Sequence, residues 1–316
     1  MDLRQLAALT AVGEHRSFSA AARSLHTVQS NVSAHVAKLE NELGVVLVDR
    51  SDCSFTDAGE LVAARARRIE AELDALGGDL ASSEQAVSGS VRLGMIGTTA
   101  RWLLPLLLPA VAQRHSGIRL TIIDATTTSL IPQLLARRLD LAVVNLPVHS
   151  EDVSAELLFE ERHVLIVPRG HPLSGRDEID PTELSRHPLL LPPPGTSFRD
   201  ELDLAMTRFG VRLEAAAEVD GVRLLATLAF EGFGASIVPS SAVSRRAGSE
   251  WTRVGITGLA PRAVGLATER RALLSNAARA VHAMVLDQCR EHAADFAEIE
   301  PAIAPSTKAG GRPAPH

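Results

Sequence analysis

The feature that most restricts this chain is a change of period near Ser90. Before it, apolar residues recur at three and four: Leu3, Leu6, Leu9 and Val12 make one face, and Val32, Val36, Leu39 and Leu43 another. That is the period of amphipathic helices. After it, short aliphatic runs such as Val91-Arg92-Leu93-Gly94-Met95-Ile96 alternate with helical stretches, an order that builds parallel sheets with helices on their faces. A small helical part must therefore fold beside an α/β part, and 316 residues suffice for two or three such units.

The helical part reads as four helices. The first carries the Leu3 to Val12 face, the second spans Phe18 to Leu25, and the third spans Gln29 to Leu43, where Gly44 stops it. Ser17 and Thr27 each stand where a hydroxyl can accept from free N–H groups of the following first turn. Val45 to Val48 and the polar stretch Asp49 to Ser54 suggest a small hairpin before the fourth helix, Asp57 to Leu80. On that helix Leu61, Arg65, Ile69, Leu73, Leu76 and Leu80 share one stripe. With little chain nearby to cover it, the stripe suits a partner helix, so Leu61, Ile69, Leu73, Leu76 and Leu80 are expected at a dimer contact. Gly77-Gly78 weakens the helix end, and Ser82 to Ser90 reads as a polar linker.

In the α/β part, strands are expected at 91–96, 119–124 and 141–144, with helices at 103–115 and 132–139. A second series starts at Val164 to Val167 and continues through helix 199–209, strand 216–219, helix 222–230 and strand 235–238. Strand 264–268 and helix 274–289 follow. From about Ile299, four prolines and two glycines mark a disordered tail.

Composition excludes several functions. A net charge of -6 argues against a chain that coats nucleic acid, and residues 1–60 hold five Arg or Lys against eight Asp or Glu. Any DNA contact must then rest on local charge, because ions screen the remainder beyond about 8 Å at physiological salt. The two cysteines, Cys53 and Cys289, are far apart and form no CxxC, so neither a disulfide framework nor a zinc site is indicated. Cys289 is expected on the buried face of the last helix and Cys53 exposed on the hairpin. No apolar run approaches ~20 residues and the start lacks a secretory apolar core, so a cytoplasmic chain without membrane contact is expected.

Enzyme signatures are missing too. There is no GxSxG and no P-loop, and Gly232-Phe233-Gly234 lacks the third glycine of a dinucleotide fingerprint. His163, His171 and His187 are irregularly spaced and read as surface histidines rather than metal ligands. No catalytic residue, metal or cofactor is expected.

The third helix is more informative. A helix that enters the major groove needs aliphatics toward its bundle and short polar groups toward the bases. Val32, Val36, Leu39 and Leu43 leave Gln29, Ser30, Asn31, Ser33, Ala34, His35 and Lys38 on the other side. Gln and Asn can bond an adenine edge through donor and acceptor together, and Ser meets base or phosphate. With Thr27 ahead of that helix and Arg23, Lys38 and Arg50 as cations, these residues form the expected contact set for double-stranded DNA.

Ser17-Phe18-Ser19-Ala20-Ala21-Ala22, Leu25, Gln29, Val32-Ser33, Leu39-Glu40, Leu43-Gly44 and Thr56-Asp57-Ala58-Gly59 resemble the winged helix-turn-helix of the LysR-type transcriptional regulators. Leu104-Pro105, the Leu130, Leu134, Leu139-Asp140-Leu141-Ala142 pattern, and Gly232-Phe233-Gly234 before Val238-Pro239 resemble the effector-binding half of that family. Two departures stand out: the hairpin is shorter than the usual wing and keeps only Arg50, and Ser30 replaces the family's common proline.

The resemblance implies an α+α/β fold: a winged helix-turn-helix at 1–58, a linker and dimerisation helix at 59–89, and a two-subdomain effector-binding domain resembling periplasmic binding proteins. Subdomain I would hold 90–161 and 267–298, subdomain II 162–266, and the tail 299–316, with crossings near Arg162 to Pro168 and Val264 to Thr268. A small effector would lie between the subdomains, beyond the carboxyl ends of strands. Those ends carry Thr98 and Thr99, then Thr126, Thr127, Thr128 and Ser129, then Asn145, and in the other subdomain Thr196 and Ser197. Their hydroxyls and the nearby helix starts suit a carboxylate or other anion, while Phe198 and Phe233 are the candidates to stack on an aromatic.

The implied partners are operator DNA, the effector, further copies of this chain as a homodimer or homotetramer, and RNA polymerase. An α/β enzyme or a periplasmic solute-binding protein with an accessory helical domain is the alternative; the second sits poorly with the helical part in front.

Overall fold

A computed structural model describes residues 1–81, 87–243, 250–295 and 299–301. Positions 82–86 of the expected linker and 302–316 of the expected tail lie outside the described residues. The front part is α1 (Leu3–His15), α2 (Phe18–Ser24), α3 (Gln29–Leu43) and α4 (Asp57–Ala81). Asp2 caps α1 in a reciprocal box with Gln5, which satisfies donors the first turn leaves open. Ser17 caps α2, accepting from Ala20 N at 3.3 Å. Thr27 does not cap α3: the cap position falls one residue later, on Val28, and Thr27 Oγ1 accepts from Asn31 Nδ2 at 3.1 Å. Gly44 ends α3 at φ 70°, a left-handed geometry that side chains resist.

Val32, Val36 and Leu39 are sealed against Leu6, Leu9 and Val12 of α1 and Ala63 and Ala66 of α4, each large aliphatic contributing about 1.5–3 kcal/mol. Leu43, expected on the same face, is exposed where the helix runs out. The hairpin between α3 and α4 closes through the Val48–Phe55 bridge, and the Phe55 ring fills the space over Gly13 where a Cβ would fall within 1.9 Å of it.

Among the described residues the rear part contains two six-stranded sheets. The first runs β1 (Ser88–Met95), α5 (Gly97–Arg114), β2 (Gly117–Asp124), α6 (Thr127–Leu135), β3 (Leu141–Leu146) and β4 (Val153–Glu161). The chain then passes into the second sheet through β5 (His163–Pro168), β6 (Glu178–Ile179), α7 (Pro181–Leu184), β7 (Leu189–Leu191), α8 (Ser197–Thr207), β8 (Ala215–Glu218), α9 (Val222–Phe230), β9 (Ala235–Pro239) and β10 (Trp251–Ile256). It returns as β11 (Arg262–Glu269), α10 (Asn276–His292) and β12 (Ile299–Pro301).

Sheet order is β12-β4-β11-β3-β1-β2 in one and β6-β10-β5-β9-β7-β8 in the other. Each contains a parallel trio in which the first strand sits between the next two, β2-β1-β3 and β8-β7-β9. The sheets are mixed rather than parallel throughout, because strands flanking the crossings, β4, β5, β10 and β11, enter antiparallel. Arg162 alone separates β4 from β5. The return crossing ends before Arg262, since β11 pairs with β4 along its whole length and with β3 from Ala263 to Ala267; residues 262–266 therefore belong to the first sheet and not, as expected, to the second subdomain. Ile299–Pro301, expected in the tail, pairs with β4. Helices α5 and α6 begin several residues earlier than expected, at Gly97 and Thr127.

Candidate DNA-reading face and inter-sheet cleft

On α3 the apolar side is sealed, and Gln29, Ser30, Asn31, Ala34 and Lys38 are exposed while Ser33 and His35 are half-buried. Arg23 is exposed at the end of α2. Ser19 Oγ, outside the expected DNA-contact set, donates to Gln29 Oε1 at 2.8 Å and so orients the amide. Glu40 organises the hairpin: its Oε1 accepts from Leu47 N at 2.9 Å and Val48 N at 3.1 Å, and its Oε2 takes Arg50 at 2.7 Å. The Arg50 guanidinium also lies over the Phe18 ring at 4.9 Å. The hairpin's expected cation is thus engaged within the head. Asp49 and Asp52 lie beside it, their carboxyls held below the ordinary range by hydrogen bonds from Ser51 and Ser54 respectively. Cys53, expected exposed, is half-buried in this turn.

Replacing Gln29 with alanine is expected to remove about 1–3 kcal/mol of discrimination at one base pair, measured by competition among single-base duplex variants. Uniform loss across all variants would instead make Gln29 a backbone contact.

Between the two sheets lies an open cleft of about 650 Å³ bordered by Leu146, Pro147, Glu201, Pro261, Arg262 and Ala263. At the crossing end, buried Arg262 donates through Nε to Glu161 Oε1 at 2.7 Å and through a terminal nitrogen to Thr98 Oγ1 at 2.7 Å. Glu161 also accepts from Ser241 N at 2.7 Å, Ser241 Oγ at 3.1 Å and Ser240 Oγ at 3.3 Å. This buried pair ties both crossings to α5 and to the turn after β9, which satisfies charges that burial would otherwise penalise heavily. Farther along, Arg223 of α9 pairs with Asp124 of β2 at 2.5 Å, and Arg101 donates to Ala242 O at 2.7 Å.

The expected cleft residues fall into groups. Thr98 reaches the crossing through Arg262, and Thr99 is buried with no hydroxyl partner among the described residues. Thr126 Oγ1 bonds Thr128 and Ser129 at 2.9 and 3.2 Å, while Thr127 Oγ1 accepts from Asn145 N at 3.0 Å. Asn145 keeps a buried carbonyl oxygen without a partner among the described residues. Thr196 donates to Pro193 O at 2.8 Å and Ser197 is exposed at the start of α8. None of α5, α6 and α8 has a side-chain cap, so these hydroxyls do not consume the first-turn N–H groups that an anion could use.

Phe198 packs into the second core and stacks on His163 with centroids 5.7 Å apart. Phe233 is not at the cleft. It precedes the amino-terminal end of β9, whereas the carboxyl end, Pro239, pairs with His163 beside the crossing, leaving Phe233 69% exposed at the opposite pole.

His163 is not a surface histidine. It is 5% exposed, and burial, together with Arg262, drives its pKa down to about 4, so the ring is neutral at pH 7. His171 and His187 lie together, with ring centroids 5.1 Å apart. No group of three metal-ligating side chains occurs among the described residues. Glu161, Arg262 and Glu201 were not singled out by the sequence. The one available signal was charge beside an apolar run, in Glu160-Glu161-Arg162-His163 before Val164 to Val167.

Similarity to known proteins covers both parts. Residues 3–60 match the family described as "Bacterial regulatory helix-turn-helix protein, lysR family", and residues 84–290 match "LysR substrate binding domain". A probable hydrogen peroxide-inducible genes activator of Mycobacterium avium is 34% identical over 241 residues, 75% of this chain and 78% of that protein. The DNA-binding transcriptional dual regulator OxyR of Escherichia coli K12 is 31% identical over 251 residues, covering 77% and 80%. A single-residue variant of full-length OxyR from Pseudomonas aeruginosa superposes with a TM-score of 0.75 at 25% identity, covering 92% of this chain and 95% of that one.

Proposed function

Because this chain belongs to the LysR family of bacterial transcriptional regulators, we propose that a small effector bound in the cleft between its two sheets sets the arrangement of its DNA-reading heads. The chain is a DNA-binding transcriptional regulator with an effector-binding domain, and it is not an enzyme. Gln29, Ser30, Asn31, Ser33, Ala34, His35 and Lys38 face the operator, with Thr27, Arg23 and Arg50 beside them. The cleft is served by Thr98, Thr99, Thr126 to Ser129, Asn145, Thr196 and Ser197, and the exposed stripe of α4 joins two copies. Domain limits follow the strands, with head 1–58, linker helix from 59, and subdomain II at 162–261. Among the described residues no helix is long and apolar enough to cross a membrane; the operator places the protein's work in the cytoplasm.

The observation that carries the effector assignment is the set of three helices, α5, α6 and α8, that start without side-chain caps at the carboxyl ends of strands, where ligands of open sheets gather. Helix α6 also supplies a route outward. Its start bonds Asn145 through Thr127, and beyond its far end Ala136 O accepts from Arg67 of α4 at 2.9 Å while Arg138 lies 3.6 Å from Glu60. A ligand that favours one position of α6 therefore biases the linker helix.

The effector of this chain is not sensed by thiol oxidation in the cleft, although relatives are named for peroxide induction. A peroxide-reactive cysteine needs an accessible thiolate. Cys289 is buried in α10 with its thiol pushed up to about 12, and Cys53 lies in the hairpin of the head. In footprints on the DNA beside its own gene, a metabolite effector is expected to change the protected length. Thr126→Val with Ser197→Ala, one from each side of the cleft, should abolish that change, and millimolar peroxide should leave the footprint as it was. A metabolite response that survives the double substitution, or a peroxide response lost in Cys289→Ser, would contradict the assignment.

A further inference from the structure

At its Glu201 end the cleft continues into a crevice of about 150 Å³ lined by His163, Glu201, Arg208, Gly258 and Ala260, with Glu201 and Pro261 common to both spaces. His163 Nε2 is buried there without a hydrogen-bond partner among the described residues, and it faces Glu201 Oε1 at 3.6 Å. The other ring nitrogen is committed, since the imidazole bonds the Ala260 backbone. A neutral ring that gives its Nδ1 proton to a carbonyl presents a lone pair at Nε2. Two acceptors, one of them a carboxylate, therefore stand 3.6 Å apart with no donor serving both among the described residues, and a donor placed beside the pair would satisfy them.

The cation lining the adjoining cleft cannot serve as that donor, because Arg262 is taken by Glu161 and Thr98. Arg208, which follows the last residue of α8, lines the crevice but is exposed. Burial meanwhile pushes the Glu201 carboxyl above its ordinary range, a cost that a neighbouring cation relieves. Leu146, Pro147 and Ala263 provide apolar wall beside this acceptor end.

We propose that the effector is a zwitterion whose protonated amine donates to Glu201 Oε1 and His163 Nε2 together while its carboxylate meets the starts of α5 and α6. This rests on the cleft being the effector site and adds the chemical class. It also gives Glu201 and His163 a role in specificity: an effector lacking the amine leaves their acceptors unpaired, which is the basis on which polar sites reject close analogues.

The test uses full-length protein and three probes of equal chain length at matched ionic strength: 4-aminobutyrate, butylammonium and butyrate. Saturable binding is followed by calorimetry and by the His163 imidazole nitrogen resonances. Binding of 4-aminobutyrate at least ten-fold tighter than butyrate is expected, with the His163 Nε2 signal moving on addition, and Glu201→Gln should erase that preference. Glu201→Asp, which keeps the charge, should restore part of it. Butyrate binding as tightly as 4-aminobutyrate, or a preference that survives Glu201→Gln, would overturn the amine assignment and leave the cleft as effector site. No saturable binding of any probe overturns the assignment as well. If the operator footprint also ignores Thr126→Val with Ser197→Ala, the cleft reading falls with it.

Discussion

Ile69→Asp combined with Leu73→Asp is expected to halve the mass of the smallest stable species and to lower operator affinity on the order of 10²–10⁴-fold, the factor gained when two linked modules bind together. The stripe on α4 is the reason. Ala63, Ala66 and Arg67 turn toward the rest of the chain and are buried, while Leu61, Ile69, Leu73 and Leu76 are 64, 38, 44 and 57% exposed; the side chain of Leu80 lies outside the described set. Four large aliphatics at helical spacing on one exposed face are the sequence of a helix seam. Two aspartates at its centre would place like charges against each other in an apolar contact. Sedimentation and a gel shift read the two effects together, with far-ultraviolet circular dichroism checking that the helices persist. A dissociated protein that still binds at full affinity would remove the dimer from the account.

Arg262→Met is expected to destabilise the sensing half by about 3–5 kcal/mol, because it strands a buried carboxylate. Glu161 is 1% exposed and would keep three donors from Ser240 and Ser241 but lose its counter-charge, and Thr98 would lose its partner. Pairing Arg262→Met with Glu161→Gln should recover a large part of the loss, since removing both charges avoids burying one alone. Urea titrations of the four proteins give the coupling. A single substitution that costs less than about 1 kcal/mol, or a double as unstable as the worse single, would mean that the pair does not hold the crossings together.

The parts of this molecule that are legible in sequence are those set by local period. The spacing of Val32, Val36 and Leu39 is enough to name the buried face of α3, and the polar remainder follows as the outward face. Of the second α/β trio, the central strand Leu189–Leu191 goes unread because three residues carry no period, while β8 and β9 are legible from their places on either side of α9. Strand β4 is not: Ser154, Glu156 and Glu160 interrupt its apolar residues, as suits a strand that pairs β11 on one side and only the three-residue β12 on the other. The early starts of α5 and α6 are hidden because their first turns are made of glycine and threonine, poor helix formers that read as loop. The Glu161–Arg262 pair spans 101 residues, and no local pattern announces a contact of that range. Phe233 is misplaced for a related reason: its neighbours identify a strand start, yet which end of the sheet meets the cleft depends on the crossings.

The central claim is that α3 reads base edges with its amide and hydroxyl face, and the most direct measurement is equilibrium competition on the DNA beside the gene. Labelled duplex from that region, bound by purified protein at physiological salt, is challenged with unlabelled duplex of the same region or of random sequence. The specific competitor is expected to displace at least about 10³-fold more effectively than the random one, with this ratio shrinking in Gln29→Ala. Equal displacement by both, with and without candidate effectors, would contradict it.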